Sequence, residues 1–527
     1  MSAHDLRPAY DVTVTASVQQ TRAPRAQKPP PLTPAVAARI TVRDRLVQPM
    51  PADGRWGWLV PGIIALIAGL LRLDRLGVPS GYVFDETYYA KDAADLIAYG
   101  VEYNPEEQTP QFIVHPPVGK WVIALGQLIF GNDSFGWRFA VAVLGTLAVF
   151  LIARIGRRLF RSLVLGATAA ILLAADGLAF VLSRVALLDG ILMFFLLAAF
   201  GALLVDRDRC RERLADLVER GAAGGLFGPR LGLRPWRLLA GPMLGLAVGT
   251  KWNGVWFVAA FGLMTVLWDV DARRLAGVPR PFVGAILRDA VPAFASLVVV
   301  SVVVYIASWT GWFTAGDKAY HRYVGTGPGW LPDPLANLWV YHEGMLNFHR
   351  GLSKWHAYRS HPWSWPVVGR PVSMDYTGVD RGQLGCEVER CSRAILAIGT
   401  PLLWWAGVVA LLALVLAWLG RRDWRAGAIL AGFGAGWLPW FAFADRTQYY
   451  FYAIVMLPFT ILAVTMCLGW VLGPPGATPR RRAVGAAVAG SFVLLVVVNF
   501  AYLVPILTDQ TIPYDEWRAR IWLRSWF

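Results

Sequence analysis

Two adjacent carboxylates follow the first long apolar segment of the chain. Asp85 and Glu86 lie within the run Val83 to Tyr89, ahead of a helix-like stretch that ends at Gly100. Asp85 occupies a typical helix N-cap position and Glu86 the first turn, so helix capping alone would explain both residues. A carboxylate can also take the proton of an attacking hydroxyl. Because neighbours on a helix diverge by about 100°, Asp85 would then be the general base and Glu86 would contact other substrate atoms.

Several basic residues near this pair could meet an anionic group. Arg138 opens the second apolar segment, where it either clamps a phosphate or pairs with Asp133. His115 and Lys120 flank a turn that two prolines stiffen. We therefore treat Arg138 as the first candidate for a phosphate contact and keep His115 and Lys120 as substrate-binding candidates.

Ionisable residues also mark the ends of later apolar hairpins. Asp176, Arg184 and Asp189 flank one hairpin, and such groups are costly at membrane depth unless they pair or face a polar cavity. A functional cavity and an internal ion pair both explain them. Lys251 and Arg446 lie at two further turns. Each either meets a lipid phosphate or only anchors the chain at the membrane interface.

The sequence offers no convincing metal site. His342, His349 and His356 recur every seven residues, which on a helix separates neighbours by about 10 Å, too far for one shared metal. Two Asp-x-Asp triplets, 206–208 and 269–271, resemble motifs that hold a metal-bound nucleotide sugar. Both lie among arginines at span ends, so we interpret them as salt-bridged loop charges.

The composition indicates an integral membrane protein. Hydrophobic residues make up 56% of the chain and the mean hydropathy is +0.46, more than a soluble chain of this length could bury. The formal charge of +15 does not indicate nucleic-acid binding, because the arginines form short runs between apolar segments. Such runs are typical signals of membrane topology.

Apolar stretches of roughly 17 to 25 residues predict about eleven spanning helices in an all-α polytopic protein. The predicted spans are 57–74, 137–155, 163–182, 186–205, 238–250, 254–270, 289–310, 397–419, 426–443, 449–471 and 483–507. Basic runs in alternate loops place the N-terminus in the cytoplasm and the C-terminal segment outside. The Pro- and Arg-rich residues 1–55 are expected to form a disordered cytoplasmic tail, and 56–527 a catalytic membrane domain.

Two long external loops stand out, 75–136 and 311–395. We expect the chemistry to take place there and not in the tight hairpins. The apolar stretch Val118 to Phe130 is too short to cross comfortably and is interpreted as an interfacial or re-entrant helix. Cys386 and Cys391 lie close together in the second loop, and the sequence leaves open whether they form a disulfide.

Several motifs occur in one order along the chain. They are Asp85-Glu86, His115 to Lys120, Trp137-Arg138, Ser183 to Asp189, Thr250 to Gly254, Pro362 to Pro366 and Pro401 to Trp405. Together they resemble the protein O-mannosyltransferase family, in its bacterial, actinobacterial-type branch. That family belongs to the GT-C class of membrane glycosyltransferases that use polyprenyl phosphate sugars.

The resemblance has three departures. Val118 stands where the family usually has Leu, and residues 449–452 lack the His of the family's Tyr-His-Tyr run, which weakens any role for an imidazole near Arg446. The second long loop is too short for the β-trefoil domain of the eukaryotic members. Acceptor recognition therefore has no assigned residues.

The resemblance implies inverting transfer of mannose from polyprenyl phosphate mannose to Ser or Thr of exported proteins, outside the plasma membrane. Asp85 would be the base and Glu86 would orient the acceptor or the sugar. The leaving phosphate is already ionised, so no general acid, metal or other cofactor is needed. The expected partners are the lipid-linked donor, the polypeptide acceptor, membrane lipid and the export channel, with no nucleic acid.

Three alternatives stay open at this stage. A transferase of the same class could glycosylate a glycolipid or a wall polysaccharide. A secondary transporter would carry ionisable or helix-breaking residues near the midplane of two matching halves, and no such halves are evident. A non-catalytic assembly partner would not transfer mannose by itself.

Overall fold

A computed structural model describes residues 41–111, 114–222, 224–318 and 326–527. In these ranges, eight helices are long and apolar enough to cross a membrane. They are Trp56–Leu73, Ser134–Phe160, Leu188–Glu219, Trp252–Leu275, Pro281–Ser308, Pro401–Arg421, Trp424–Phe443 and Pro479–Ile506. Shorter apolar helices are Val118–Phe130, Leu163–Ala174 and Leu457–Leu472, and a further helix is Pro235–Thr250.

Each of the eleven predicted spans coincides with a helical segment, but two of them are broken. The third consists of Leu163–Ala174 and Gly177–Val181. The break lies at Asp176, whose carboxylate accepts the Ala179 amide at 2.9 Å and the Trp404 indole N–H at 2.8 Å. Asp176 is therefore a helix cap and a link between spans. The tenth span starts with the 3₁₀ turn Tyr450–Val455 before helix Leu457–Leu472.

The helix Leu188–Glu219 forms the centre of the bundle. In its apolar stretch of 18 residues, 72% is buried inside the protein. The buried share of the corresponding stretch in Pro281–Ser308 is 17%. Val42–Phe527 forms one compact unit. A central, apolar helix surrounded by protein gives the site a rigid base, because close packing leaves it few alternative positions.

The first long loop contains two helices and a small hairpin. Glu86–Tyr99 ends at Gly100, which has a left-handed φ of +78°, a conformation that glycine adopts without strain. Strands Tyr103–Asn104 and Thr109–Pro110 form the hairpin, and helix Val118–Phe130 follows. The bounds of the two predicted helices in this loop are confirmed.

The second long loop contains β-structure that the sequence analysis did not predict. After the short helices Thr310–Thr314 and Gly316–Lys318 come helix Asp333–Gly351 and the 3₁₀ turn Pro362–Ser364. Strands Val372–Asp380 and Arg390–Ala397 then pair antiparallel, and Ile512–Pro513 extends the sheet. Cys386 and Cys391 form a disulfide in the connection of the hairpin. The domain is therefore all-α only in its membrane part.

The tail prediction is wrong for residues 42–55. Helix Val42–Leu46 packs its Leu46 against Leu214, and Asp53 pairs with Arg157 at 2.8 Å. Residues 1–40 of the predicted tail lie outside the described residues. The apolar contact and the ion pair fix the segment that precedes the first span.

The two Asp-x-Asp triplets are paired as the sequence predicted. Arg234 lies between Asp206 and Asp269, 2.6 Å from the latter, and Arg158 pairs with Asp208 at 2.6 Å. Asp271 pairs with Arg211. Their carboxylates are occupied by guanidinium groups, which confirms the interpretation as salt-bridged charges.

Candidate active site

Asp85 lies at the start of helix Glu86–Tyr99, but its side chain does not cap the helix. Phe84, just before it, has a φ of +52°, a left-handed conformation that is strained for a bulky residue. Glu86 accepts the Val83 amide at 2.8 Å instead. The half-buried Asp85 carboxylate makes no hydrogen bond or ion pair with another described residue. It is therefore available to a substrate.

Glu86 faces the interior, where it is fully buried against Arg138. Its carboxylate accepts the Arg138 Nε–H at 2.8 Å and an Nη2–H at 2.7 Å, and the Ala186 amide at 2.8 Å. The other N–H groups of Arg138 donate to backbone carbonyls, those of Leu76, Pro79 and Gly81. All five N–H groups of the guanidinium are thus used within the protein.

These contacts correct two expectations. Arg138 neither clamps a phosphate nor pairs with Asp133, whose carboxylate caps a helix by accepting the Gly136 amide. Glu86 has no oxygen left to orient an acceptor or a sugar. Both residues instead hold the start of the helix in place, and their hydrogen-bonding groups are used within the protein.

Two other predicted substrate ligands also have internal partners. Lys120 is buried and pairs with Asp92 at 2.9 Å and Glu102 at 2.7 Å. Arg184 donates to main-chain carbonyls at the end of the first span, including those of Arg72 and Asp74. It therefore satisfies the last carbonyls of that helix. Lys120 therefore links parts of the first long loop to one another, and Arg184 links the end of the first span to the segment before helix Leu188–Glu219.

Lys251 and Asp189 form a buried pair beside Asp85. The Lys251 ammonium lies 2.9 Å from both carboxylate oxygens of Asp189 and 4.3 Å from the ring centre of Tyr452. Burial raises the pKa of the Asp85 carboxyl to about 6, while Lys251 acts to lower it and Asp189 to raise it further. A carboxylate with a pKa near neutrality suits a general base.

A cavity of about 250 Å³ adjoins this pair. Cationic and polar residues, including His115, Lys251, His349 and Arg446, line one part, and Trp252, Trp256, Trp440 and Phe443 supply apolar walls. Arg446 has no carboxylate partner among the described residues, and its buried Nε–H is unpaired. The cavity therefore combines an uncompensated cation with apolar surface, which suits an anionic headgroup on a lipid.

The orientation of Arg446 depends on His349. The His349 Nε2 lies 2.6 Å from the Val114 carbonyl, which only accepts, so Nε2 carries the proton. Nδ1 then accepts an Arg446 N–H at 3.2 Å. Burial, and to a smaller extent the charge of Arg446, lowers the pKa of His349 to about 4. This imidazole is therefore neutral. Burial likewise holds the pKa of His115 well below its usual range, and its ring stacks on that of His349 at 5.2 Å.

His349 is not among the site residues predicted from the sequence. Residues 449–452 lack a His, which weakened the prediction of an imidazole near Arg446, but helix Asp333–Gly351 supplies one. The even spacing of the three histidines was the available signal. Their partners differ, since His342 contacts Tyr305 at 2.6 Å and the His356 ring accepts the Tyr358 amide at 3.1 Å. Among the described residues, no group of three His, Cys, Asp or Glu could hold a metal.

Known proteins match this chain over most of its length. The profile of dolichyl-phosphate-mannose-protein mannosyltransferases matches residues 114–226, and that of the C-terminal four-helix membrane region of protein O-mannosyltransferases matches 334–526. The Saccharomyces cerevisiae protein O-mannosyltransferase Pmt1-Pmt2 complex, solved with its sugar donor, superposes with a TM-score of 0.70. The identity is 16%, over 89% of this chain and 92% of that one.

The fold and the site thus define a membrane glycosyltransferase of the GT-C class. Two curated relatives are more specific. A polyprenol-phosphate-mannose–protein mannosyltransferase of Mycobacterium tuberculosis is 44% identical over 90% of this chain and 93% of its own. One of Corynebacterium glutamicum is 35% identical over 91% and 96%. The chain belongs to the family of polyprenol-phosphate-mannose–protein mannosyltransferases.

This membership sets aside the transporter alternative. A more distant relative, an arabinosyl transferase of Pseudomonas aeruginosa that uses an undecaprenyl phosphate aminoarabinose, is 30% identical over only 39% of this chain.

Proposed function

We propose that this protein transfers mannose from polyprenyl phosphate mannose to Ser and Thr hydroxyls of exported proteins, on the extracytoplasmic face of the plasma membrane. The observation that supports this most directly is the unpaired Asp85 carboxylate beside the cavity that contains Arg446 and Lys251. A base and a cationic, partly apolar pocket lie close together, as transfer from a lipid phosphate to an alcohol requires.

On the donor side, the phosphate binds Arg446 and Lys251. Arg446 is the stronger candidate, because Asp189 already neutralises much of the Lys251 charge. As the bond from the anomeric carbon to the phosphate oxygen breaks, negative charge grows on the phosphate. A fixed guanidinium stabilises that charge without reorganising. The tryptophans around the cavity contact the first isoprene units of the lipid.

On the acceptor side, Asp85 takes the proton of the attacking Ser or Thr hydroxyl. The hydroxyl oxygen forms its bond to the anomeric carbon from the face opposite the phosphate, so the configuration inverts. A β-linked donor then gives an α-linked mannose. Glu86 and Arg138 position the base but touch neither substrate.

We expect this reaction to need no metal or other cofactor. The donor has a single phosphate that leaves as a stable anion, whereas nucleotide-sugar donors commonly use a metal to neutralise a diphosphate. EDTA treatment of the purified protein should therefore leave transfer intact. A loss of activity that one added metal restores would contradict this expectation.

The two long loops should lie outside the cell and the N-terminus inside, since basic runs alternate with them. Cysteines introduced into residues 75–136 should react with a membrane-impermeant maleimide in intact cells. Protection of these positions, with labelling only after lysis, would place the active site in the cytosol and refute the proposal. The acceptor would reach this face through the export channel, which makes the channel a proposed partner.

The central experiment is transfer of radiolabelled mannose by the purified chain to a Ser- and Thr-containing peptide. The matched control is a peptide with Ala and Val in place of Ser and Thr. Transfer only to the hydroxyl peptide supports a protein acceptor. Transfer only to an extracted glycolipid or wall polysaccharide would favour the alternative acceptor class, and no transfer to any acceptor would favour a non-catalytic partner.

A further inference from the structure

A second cavity, of about 230 Å³, shares no lining residue with the cavity that contains Lys251 and Arg446. It opens between the β-hairpin of the second long loop and the C-terminal segment. Its lining is mostly aromatic, with one cationic side chain, and includes Tyr358, Tyr376, Arg390, Tyr514, Trp517 and Phe527. We call this cavity the aromatic groove. Its lining contains no acidic residue.

The hairpin gives the aromatic groove one regular wall. Ser373 pairs with Leu396 and Tyr376 with Ala394 across the two strands, and all four line the groove. Directly paired residues lie on the same face of a sheet. The opposite wall is the segment that begins at helix Tyr514–Arg520. The groove is therefore a slot between a sheet face and a helix.

Three polar groups in the groove have no partner. The hydroxyls of Tyr358 and Tyr514 and the indole N–H of Trp517 make no hydrogen bond with other described residues, and none of the three is a buried polar atom. Arg390 stacks on Tyr514, 4.5 Å from the ring centre, without an ion pair among the described residues. These donors are spaced along an aromatic surface, which suits a chain of carbonyl acceptors.

The aromatic groove is connected to the general base by ring contacts. Phe84, next to Asp85, contacts the ring of His356 at 6.5 Å between centroids. His356 in turn contacts the ring of Tyr358 at 6.0 Å, and Tyr358 lines the groove. Tyr358, which lines the groove, is therefore two ring contacts away from the residue that precedes Asp85. Lys251 and Arg446 line the other cavity and are absent from this one.

We propose that the aromatic groove binds the acceptor polypeptide as an extended segment, a proposal that rests on the function proposed above. Extended peptides dock well on aromatic grooves, where side-chain donors meet their backbone carbonyls. Inversion also requires the acceptor to approach from the side opposite the phosphate. A groove that shares no lining residue with the cavity of Lys251 and Arg446 leaves the acceptor a separate approach.

The test removes single hydroxyls without changing shape. Tyr358→Phe and Tyr514→Phe should each raise the KM for a Ser-containing peptide by about fivefold, the usual effect of one lost hydrogen bond. The KM for polyprenyl phosphate mannose and the kcat at saturating peptide should not change. Tyr502→Phe is the matched control, because Tyr502 is a partly exposed tyrosine outside the groove. It should leave every parameter unchanged.

A second measurement does not depend on transfer. A peptide carrying a benzophenone next to its Ser, irradiated with the full-length protein without donor, should cross-link to residues 372–397 or 514–527. Cross-links elsewhere, or an unchanged peptide KM in both variants while the wild type transfers mannose, would overturn the groove proposal alone. A raised donor KM would assign the groove to the lipid and also overturn it. Failure of wild-type transfer would count against the proposed function instead.

Discussion

The sharpest prediction concerns the pH dependence of transfer. Asp85 must be unprotonated to accept a proton, so kcat/KM should fall as pH falls through its pKa. Burial raises that pKa to about 6, well above the ordinary value for Asp of about 3.9. The donor phosphodiester stays ionised over this range. Only the base therefore titrates between pH 5 and pH 7 in this mechanism.

The magnitude follows from the ionised fraction. With a pKa of about 6, roughly nine-tenths of Asp85 is carboxylate at pH 7 and roughly one-tenth at pH 5. We expect kcat/KM to fall about tenfold from pH 7 to pH 5. An aspartate of ordinary pKa would lose less than about a tenth of its activity over the same interval.

The assay is mannosyl transfer to a peptide at subsaturating substrate from pH 4.5 to 8. Asp85→Asn should lower kcat about 10²- to 10⁴-fold. It should also abolish the fall in kcat/KM at low pH. Asp95→Asn is a matched control, because burial also raises the pKa of Asp95, on the same helix, to about 6. Asp85 is not the titrating base if the fall in kcat/KM at low pH persists in Asp85→Asn, disappears in Asp95→Asn, or has its inflection near pH 4.

Two further predictions concern the buried Glu86–Arg138 pair and the phosphate site. Glu86→Ala should destabilise the protein by about 3–5 kcal/mol, because it leaves the buried Arg138 charge uncompensated; thermal unfolding in detergent measures this, and a loss under about 1 kcal/mol would contradict it. Arg446→Lys keeps the charge but loses the planar guanidinium, so the donor KM should rise about tenfold with the peptide KM unchanged. An unchanged donor KM would remove Arg446 from the phosphate site.

The membrane architecture was largely predictable from the sequence because a bilayer imposes local requirements. A spanning helix must be apolar over a set length and satisfy its own backbone hydrogen bonds, so each span is visible in one continuous segment. The same holds for helix Glu86–Tyr99, which ends at a glycine that adopts a left-handed φ. The third strand of the sheet was harder to predict, because Ile512–Pro513 pairs with residues 391–392, far away in the chain.

The sequence by itself determined that Asp85 and Glu86 are neighbours with the same ionisable group at the start of a helix. Tertiary structure decided their different roles. One helical step separates their directions by about 100°, which buries Glu86 against Arg138, 52 residues away, and leaves Asp85 unpaired near Lys251. Likewise, His349 approaches Arg446 across 97 residues. Coulombic and hydrogen-bonding interactions depend on distance in space, and only the packed bundle sets those distances.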